Sequence, residues 1–177
     1  GACGLIMNSV ILPPAVLYMN YGYESSGSAT MMAHLSSIFN KIREIKPTIE
    51  NEMVMDLGSN NNYFLNQFPK TTKKIGVDPS DIAINSKQGD IILYNTCFPN
   101  DEITYNENYS HKIDCITGIA MLYAVPNLSK FVDSIYSLLS FEGIGVFEVA
   151  YLPDVLDDLN LSERCFEHPS LFSLATI

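Results

Sequence analysis

From residue 52 onwards, short apolar runs alternate with segments of helical periodicity. Apolar runs of roughly four to eight residues bounded by turn signals are typical of buried strands. Such runs predict strands at residues 52–58, 73–80, 90–95, 112–123 and 143–152. Strands that alternate with crossover segments form mostly parallel sheets covered on both faces. The pattern therefore predicts an α/β fold with a doubly wound, Rossmann-like sheet of about five strands in the order 3-2-1-4-5.

Helical periodicity is clearest in two segments. Apolar residues recur at helical spacing over residues 31–45, and the pattern stops at Pro47. Residues 128–140 show the same spacing, and Gly143 is expected to mark the end of that helix. A shorter helix is predicted at residues 62–68.

The first part of the chain differs in pattern from the remainder. Residues 1–28 contain Pro, Gly, Ser and Tyr without periodicity, which favours an irregular arm. We therefore expect an N-terminal arm and helix at residues 1–47 and an α/β domain at residues 48–177. Residues 97–111 are loop-like although a crossover helix is expected there. The chain of 177 residues has the length of one domain, and its start without Met suggests a fragment.

Charge and apolar content exclude several classes of partner. Ten basic against twenty acidic residues give a formal net charge of −10, whereas nucleic-acid binding depends on clustered Lys and Arg. The apolar opening GLIMNSVILPPAVLYM is interrupted by Asn8 and Pro13-Pro14, so we expect neither a signal peptide nor a membrane helix. Four widely spaced cysteines without a Cys-x-x-Cys pair favour a reducing, cytoplasmic location.

The first predicted strand runs into a polar turn, in the sequence VMDLGSNNNYFL at residues 54–65. Ligands of doubly wound sheets bind beyond the carboxyl ends of the strands, where the strand order reverses. Gly58 would let the backbone approach a ligand, and Asp78, about 20 residues later, stands where an acid accepts ribose hydroxyls. Asn60 and Asn62 are tolerable substitutes for glycine, because Asn adopts positive φ more readily than most residues. The residues alone leave both a cofactor loop and a plain polar turn open.

A family resemblance bears on that choice. The segments that carry it are VMDLGSNNNYFL, KKIGVDPS, DCITGIAMLYAVPNL, GIGVFEVAYLPDVL and FEHPSLFSL. Together they resemble the S-adenosylmethionine-dependent sugar C-methyltransferases, which act on nucleotide-linked 4-keto-deoxysugars. The resemblance covers nearly the whole chain. It implies a class I methyltransferase fold, S-adenosylmethionine as cofactor and a nucleotide-sugar as substrate. The cofactor-binding residues it implies are Asp56, Gly58, Ser59, Asn60, Asp78 and Asn95.

The same resemblance implies which residues carry the chemistry. Methylation of a carbon beside a ketone needs a base to form the enolate and a donor for the enolate oxygen. The family signature Tyr-His-Glu-His corresponds to residues 165–168, which places the base at His168 and Glu167 near the sugar. Cys165 stands in place of the tyrosine, and a thiol is a poor hydrogen-bond donor. The resemblance also places Tyr23 of the arm at the site. Without it, His168 would be read as a surface residue.

Departures from the family keep other functions open. The family loop reads Gly-Ser-Asn-Asp-Gly, and here its last two positions are Asn61 and Asn62. Ala120 and Ala124 stand where the family tends to carry Asn and His. One alternative is a non-catalytic relative that keeps the fold and binds a nucleotide or a partner. Another is a class I methyltransferase with a different acceptor.

Two further expectations concern metal binding and self-association. Cys3-Gly4-Leu5 resembles the end of a zinc-binding element, but tetrahedral zinc needs four ligands, so no metal is expected. The fifth strand, at residues 143–152, lies at the edge of the predicted sheet. An unprotected apolar edge pairs readily with another chain, which predicts self-association.

Overall fold

The computed structural model describes residues 4–86, 89–159, 165 and 167–176, so Cys3 lies outside it. Its strands are β1 (Ile6–Met7), β2 (Met53–Leu57), β3 (Lys73–Val77), β4 (Ile92–Tyr94), β5 (Ile113–Ile119), β6 (Leu139–Glu148) and β7 (Ser170–Leu171). Its α-helices are α1 (Pro14–Tyr18), α2 (Ala29–Ile45), α3 (Asp81–Asn85), α4 (Asp101–Thr104), α5 (Leu128–Leu138) and α6 (Leu152–Asp157). Short 3₁₀ turns lie at Ser25–Gly27, Pro47–Asn51, Leu65–Gln67 and Leu122–Ala124.

Strands β2 to β6 form one sheet in the order β4-β3-β2-β5-β6. Each neighbouring pair in this sheet is parallel. Numbered along the chain, this is the predicted order 3-2-1-4-5, so the α/β class and the topology are confirmed. The order reverses between β2 and β5, which places the switch point of the sheet at the carboxyl end of β2.

Both faces of the sheet are covered, as the near-continuous apolar strands predict. Side chains of a strand alternate between faces, and β2 accordingly divides its residues between two core clusters. Met55 packs in the cluster that contains Phe131 of α5, whereas Val54 packs in the cluster that contains Leu35 of α2. Cys115 of β5 is fully buried in the α2 cluster, where it acts as a small apolar side chain.

The boundary between α5 and β6 differs from the prediction. The helix ends at Leu138, and residues 139–143, assigned to the helix end by the sequence pattern, already belong to β6. Gly143 is therefore a strand residue and not a helix stop. A Cβ atom there would lie 2.8 Å from the carbonyl oxygen of Ile113, so the close approach of β5 and β6 requires glycine.

The helix predicted at residues 62–68 is reduced to the 3₁₀ turn Leu65–Gln67. Residues 97–111, predicted to be a loop, contain the short helix α4. The arm is also less irregular than expected, because it contains β1 and α1. In the described part of the chain, no helix is long and apolar enough to cross a lipid bilayer.

The arm lies beside the C-terminal segment. Strand β1 pairs with β7 in an antiparallel manner, and the backbone N–H of Asn8 donates to the Pro169 carbonyl over 2.7 Å. Further along, the Met19 carbonyl accepts a 3.2 Å hydrogen bond from the N–H of Asp81, at the start of α3. These contacts bring the arm to the carboxyl ends of the strands.

Candidate functional site

The turn after β2 adopts the glycine-like backbone predicted for it. Gly58, Asn60 and Asn62 have φ angles of 74°, 47° and 59°. The prediction that Asn replaces glycine here is confirmed, since a short polar side chain tolerates the left-handed region. A Cβ atom on Gly58 would lie 3.3 Å from Met121 Cβ, so position 58 is restricted by contact as well as by conformation.

Asp78 connects this turn to the end of β3. Its Oδ2 accepts a 2.8 Å hydrogen bond from the N–H of Asn60, and its Oδ1 accepts from the N–H and the hydroxyl of Ser80. A carboxylate offers about four acceptor positions. The three hydrogen bonds therefore leave capacity for a further donor from a ligand.

Asp56, in β2, is a second carboxyl group at the switch point. It is 4% exposed, and its Oδ1 accepts a 2.6 Å hydrogen bond from Thr117 Oγ1 of β5. Burial raises the pKa of Asp56 to about 7, and the negative charge of Asp78 adds to the rise, while the Thr117 hydroxyl opposes it. Asp56 is therefore poised to change its charge near neutral pH.

A cavity of about 330 Å³, here called the strand-end cleft, opens at the carboxyl ends of the strands. This volume lies within the range of about 300–1,000 Å³ that is typical of small-molecule sites. Its wall contains most of the predicted site residues, namely Tyr23, Asp56, Gly58, Ser59, Asn60 and Asp78. Tyr18 and Tyr21 extend the wall on the side of the arm. The structure thus brings the cofactor residues predicted from two strands into one concave site.

The Ser59 hydroxyl is buried between the turn after β2 and strand β3. The residue is 4% exposed, and a Cβ atom built on Gly76 of β3 would lie 2.8 Å from its Oγ. A ligand in the cleft therefore does not reach this hydroxyl. The remaining acceptor capacity of Asp78 and the open backbone at Gly58 fit a cofactor with hydroxyl and amino groups.

Asn95 lies behind the cleft wall and does not line it. Its Nδ2 donates to the carbonyl oxygens of Asp78 and Ser80, over 3.0 Å in each case. The structure therefore places this predicted cofactor residue where it holds the backbone on either side of Pro79.

His168 and Glu167 lie one contact away from the cleft. The His168 ring packs on Tyr123, with 3.8 Å between centroids, and Tyr123 lines the cleft. The carbonyl of Glu167 accepts a 3.1 Å hydrogen bond from the hydroxyl of Tyr18. Burial raises the pKa of Tyr18, and the Glu167 charge raises it further. Of these residues, Tyr18 and Tyr123 form the wall, whereas His168 and Glu167 stand behind them.

Cys165 is half-buried, and its carbonyl accepts a hydrogen bond from Asn8 Nδ2 over 3.0 Å. Its neighbour Phe166 lies outside the described residues. In the described part of the chain, no three His, Cys, Asp or Glu side chains are grouped so that they could hold a metal ion.

Sequence reasoning did not find a contact between α2 and the end of β6. His34 Nε2 lies 2.6 Å from Glu148 Oε2, although the two residues are 114 positions apart. Glu148 lines a second cavity of about 390 Å³. A pairing over such a sequence distance has no local signal, so only the folded structure reveals it.

Comparison with known proteins identifies the family. Residues 31–177 match a family model described as a methyltransferase domain. The chain belongs to this family. S-adenosylmethionine, predicted from the resemblance, is the cofactor of the domain.

One relative in sequence is the C-methyltransferase NovU of Streptomyces niveus, at 23% identity over 99% of this chain and 42% of that protein. This chain thus spans less than half the length of that relative.

Solved structures support the fold. The methyltransferase in the Trm112 complex of Haloferax volcanii superposes with a TM-score of 0.60 at 17% identity, over 81% of this chain and 70% of that one. The plantazolicin methyltransferase BpumL, solved with S-adenosylhomocysteine (SAH), gives a TM-score of 0.61 at 15% identity. The superposition covers 81% of this chain and 58% of BpumL. Both similarities confirm the class I methyltransferase architecture predicted from the sequence.

Proposed function

We propose that this domain transfers a methyl group from S-adenosylmethionine to a carbon atom of a nucleotide-linked 4-keto-deoxysugar. The strand-end cleft carries the proposal, because it joins the Gly58 turn, Asp78 and the arm tyrosines in one site. The reaction type is supported by the similarity to NovU, which is a C-methyltransferase. The substrate class is supported by the sequence resemblance, which extends to the FEHPSLFSL segment.

The cofactor would be held mainly by the ends of β2 and β3. Asp78 has remaining acceptor capacity for a ribose hydroxyl, and the exposed backbone at Gly58 allows close approach. When bound, S-adenosylmethionine supplies an electrophilic methyl group.

The acceptor carbon needs a base, and we assign this role to His168. A histidine suits proton removal near neutral pH. Tyr123 packs against the His168 ring and so fixes the orientation of the ring beside the cleft. Glu167 orients the sugar, and Tyr23 of the arm, which lines the cleft and is partly exposed, covers the bound ligands. Cys165 is a weak donor for the enolate oxygen, so the rate is expected to be low.

A non-catalytic relative is the second candidate. It is favoured by the position of His168 and Glu167 behind the wall of the strand-end cleft. Such a protein would bind the cofactor or a nucleotide without removing a proton from a sugar.

Deuterium washout from the carbon beside the ketone separates the two candidates, because it reports proton removal without methyl transfer. We expect slow washout in the wild-type protein, loss in His168→Ala, and a rate about 10²–10³-fold higher in Cys165→Tyr if an oriented enolate donor is restored. His111→Ala, in an exposed loop, is the matched control. Washout that continues unchanged in His168→Ala would remove His168 from the mechanism. No washout in any variant would favour the non-catalytic relative.

A further inference from the structure

The second cavity adjoins the strand-end cleft. It shares Ala120 and Tyr123 with the cleft, and the rest of its wall comes from the end of β6, the segment that follows and α6. A methyl acceptor has to lie in contact with the methyl donor. A cavity that shares two wall residues with the donor's cleft therefore has the position that an acceptor site requires.

Glu148 stands at the boundary between the two cavities. It is the last residue of β6 and lines the second cavity. Its backbone carbonyl accepts a 3.1 Å hydrogen bond from the N–H of Ala120, which lines both cavities. Its side chain is held by His34 of α2, with 2.6 Å between Oε2 and Nε2. Backbone and side chain of Glu148 are thus both anchored.

The anchoring leaves part of the Glu148 carboxylate available. The contact with His34 engages Oε2, and the side chain is 42% exposed. A carboxylate has about four acceptor positions, and when ionised it accepts hydrogen bonds without donating any. Its natural ligand in the cavity is therefore a hydroxyl or an amino group.

We infer that Glu148 is an acceptor-binding residue, which takes a hydroxyl or amino group of the methyl acceptor in the second cavity, and that His34 is the positioning residue that holds its carboxylate. The inference rests on the proposed methyl transfer.

The charge of the second cavity limits which part of the acceptor can enter. Asp154 and Asp158 line the same cavity as Glu148. The part of the acceptor that enters is therefore neutral or cationic, and a diphosphate group stays outside because like charges repel.

Calorimetry on the 177-residue chain saturated with SAH tests the role of Glu148. The probes are thymidine- and uridine-diphosphate-linked 4-keto-6-deoxyhexoses. Glu148→Gln is expected to raise the Kd of the nucleotide-sugar about ten- to a hundredfold, because a charge-assisted hydrogen bond is lost. The Kd of SAH is expected to stay unchanged. Glu142→Gln is the matched control, since it makes the same change on the same strand about 20 Å away, and it is expected to alter neither affinity.

The role of His34 is tested by a double-mutant cycle. His34→Gln alone is expected to weaken nucleotide-sugar binding about two- to fivefold, as for the loss of one partly exposed hydrogen bond. The double variant of His34 and Glu148 is expected to bind no more weakly than Glu148→Gln, because His34 acts through Glu148. A merely structural contribution of His34 would instead give additive losses, which would overturn the positioning role.

The outcomes distinguish this inference from the proposed function. Intact SAH binding with equal nucleotide-sugar affinity in wild type and Glu148→Gln would overturn the acceptor role of Glu148 alone. A wild-type protein that binds SAH but neither nucleotide-sugar would overturn both the sugar substrate and this role. Absence of SAH binding by the wild type would overturn the proposed function, and this inference with it.

Discussion

The carboxylate of Asp78 accepts a hydrogen bond from the backbone N–H of Asn60, with 2.8 Å between Oδ2 and the nitrogen. Asp78 also accepts from the N–H and hydroxyl of Ser80, so one side chain joins the turns after β2 and β3. The residue with the best case for cofactor binding is therefore also a structural residue of the site.

Asp78→Ala is expected to weaken both the fold and cofactor binding. The substitution leaves the buried N–H of Asn60 without its acceptor, and an unsatisfied buried donor costs about 1–3 kcal/mol. Asp78→Asn keeps one acceptor oxygen, but its NH₂ group must face one of the two backbone N–H donors, of Asn60 or of Ser80, so we expect this variant to lose stability as well. Thermal unfolding and SAH calorimetry on both variants measure the two effects. SAH affinity equal to wild type in a folded Asp78→Asn protein would argue against a role in cofactor binding.

The strand order was predictable because five apolar runs alternate with crossover segments, and that pattern leaves few right-handed topologies. The positive φ of Asn60 and Asn62 was also predictable, from the intrinsic tolerance of Asn. Contacts between distant segments carried no local signal. One such contact is that of Gly143 with Ile113, and the sequence pattern wrongly assigned Gly143 as a helix stop. Another is the pairing of His34 with Glu148, which the sequence pattern missed.

Asp56→Asn is expected to stabilise the protein above about pH 5. Asp56 has a pKa of about 7 in the folded protein, against 3.8 for an unperturbed Asp. Below pH 4 both the folded and the unfolded states carry the proton, so ionisation of Asp56 costs nothing. Between pH 4 and 7 the folded state binds more protons than the unfolded state, and stability falls as pH rises. Above pH 7 the cost reaches a plateau on the order of 4 kcal/mol.

The neutral amide of Asp56→Asn removes this cost and still accepts from Thr117. The gain in Tm is therefore expected to grow between pH 4 and 7, to roughly 8–16 °C for a chain of this size. Thr117→Val should raise the pKa of Asp56 further, because the Thr117 hydroxyl favours the ionised carboxyl. The loss of stability with rising pH should therefore be larger in Thr117→Val than in the wild type. A difference in Tm that does not change with pH would contradict the raised pKa of Asp56.

Ala120→Gly is expected to stabilise the protein although it removes a methyl group. Ala120 has a φ angle of 54°, a region that costs L-residues about 1–2 kcal/mol. Glycine relieves this strain, and its greater freedom in the unfolded chain offsets part of the gain. We expect a net gain of about 1 kcal/mol in denaturant unfolding. Ala124→Gly, in the nearby 3₁₀ turn, is the control and should destabilise the protein by about 0.5–1 kcal/mol.

The protein is expected to self-associate through the open edge of β6. Among the described strands, β6 pairs only with β5, so its outer edge presents backbone groups that can pair with a second copy. Phe141, near the start of β6, is fully exposed, with 103% relative accessibility. A charged residue on an edge strand opposes pairing between chains, so Phe141→Lys should shift the protein toward monomer. Sedimentation velocity over a range of concentrations measures this shift.

Tyr136→Lys is the control variant, because it places the same charge on the exposed face of α5, and it should leave the equilibrium between monomer and dimer unchanged. If both variants dissociate equally, self-association depends on the general apolar character of the surface and not on the edge of β6. A wild-type protein that stays monomeric at high concentration would contradict self-association altogether.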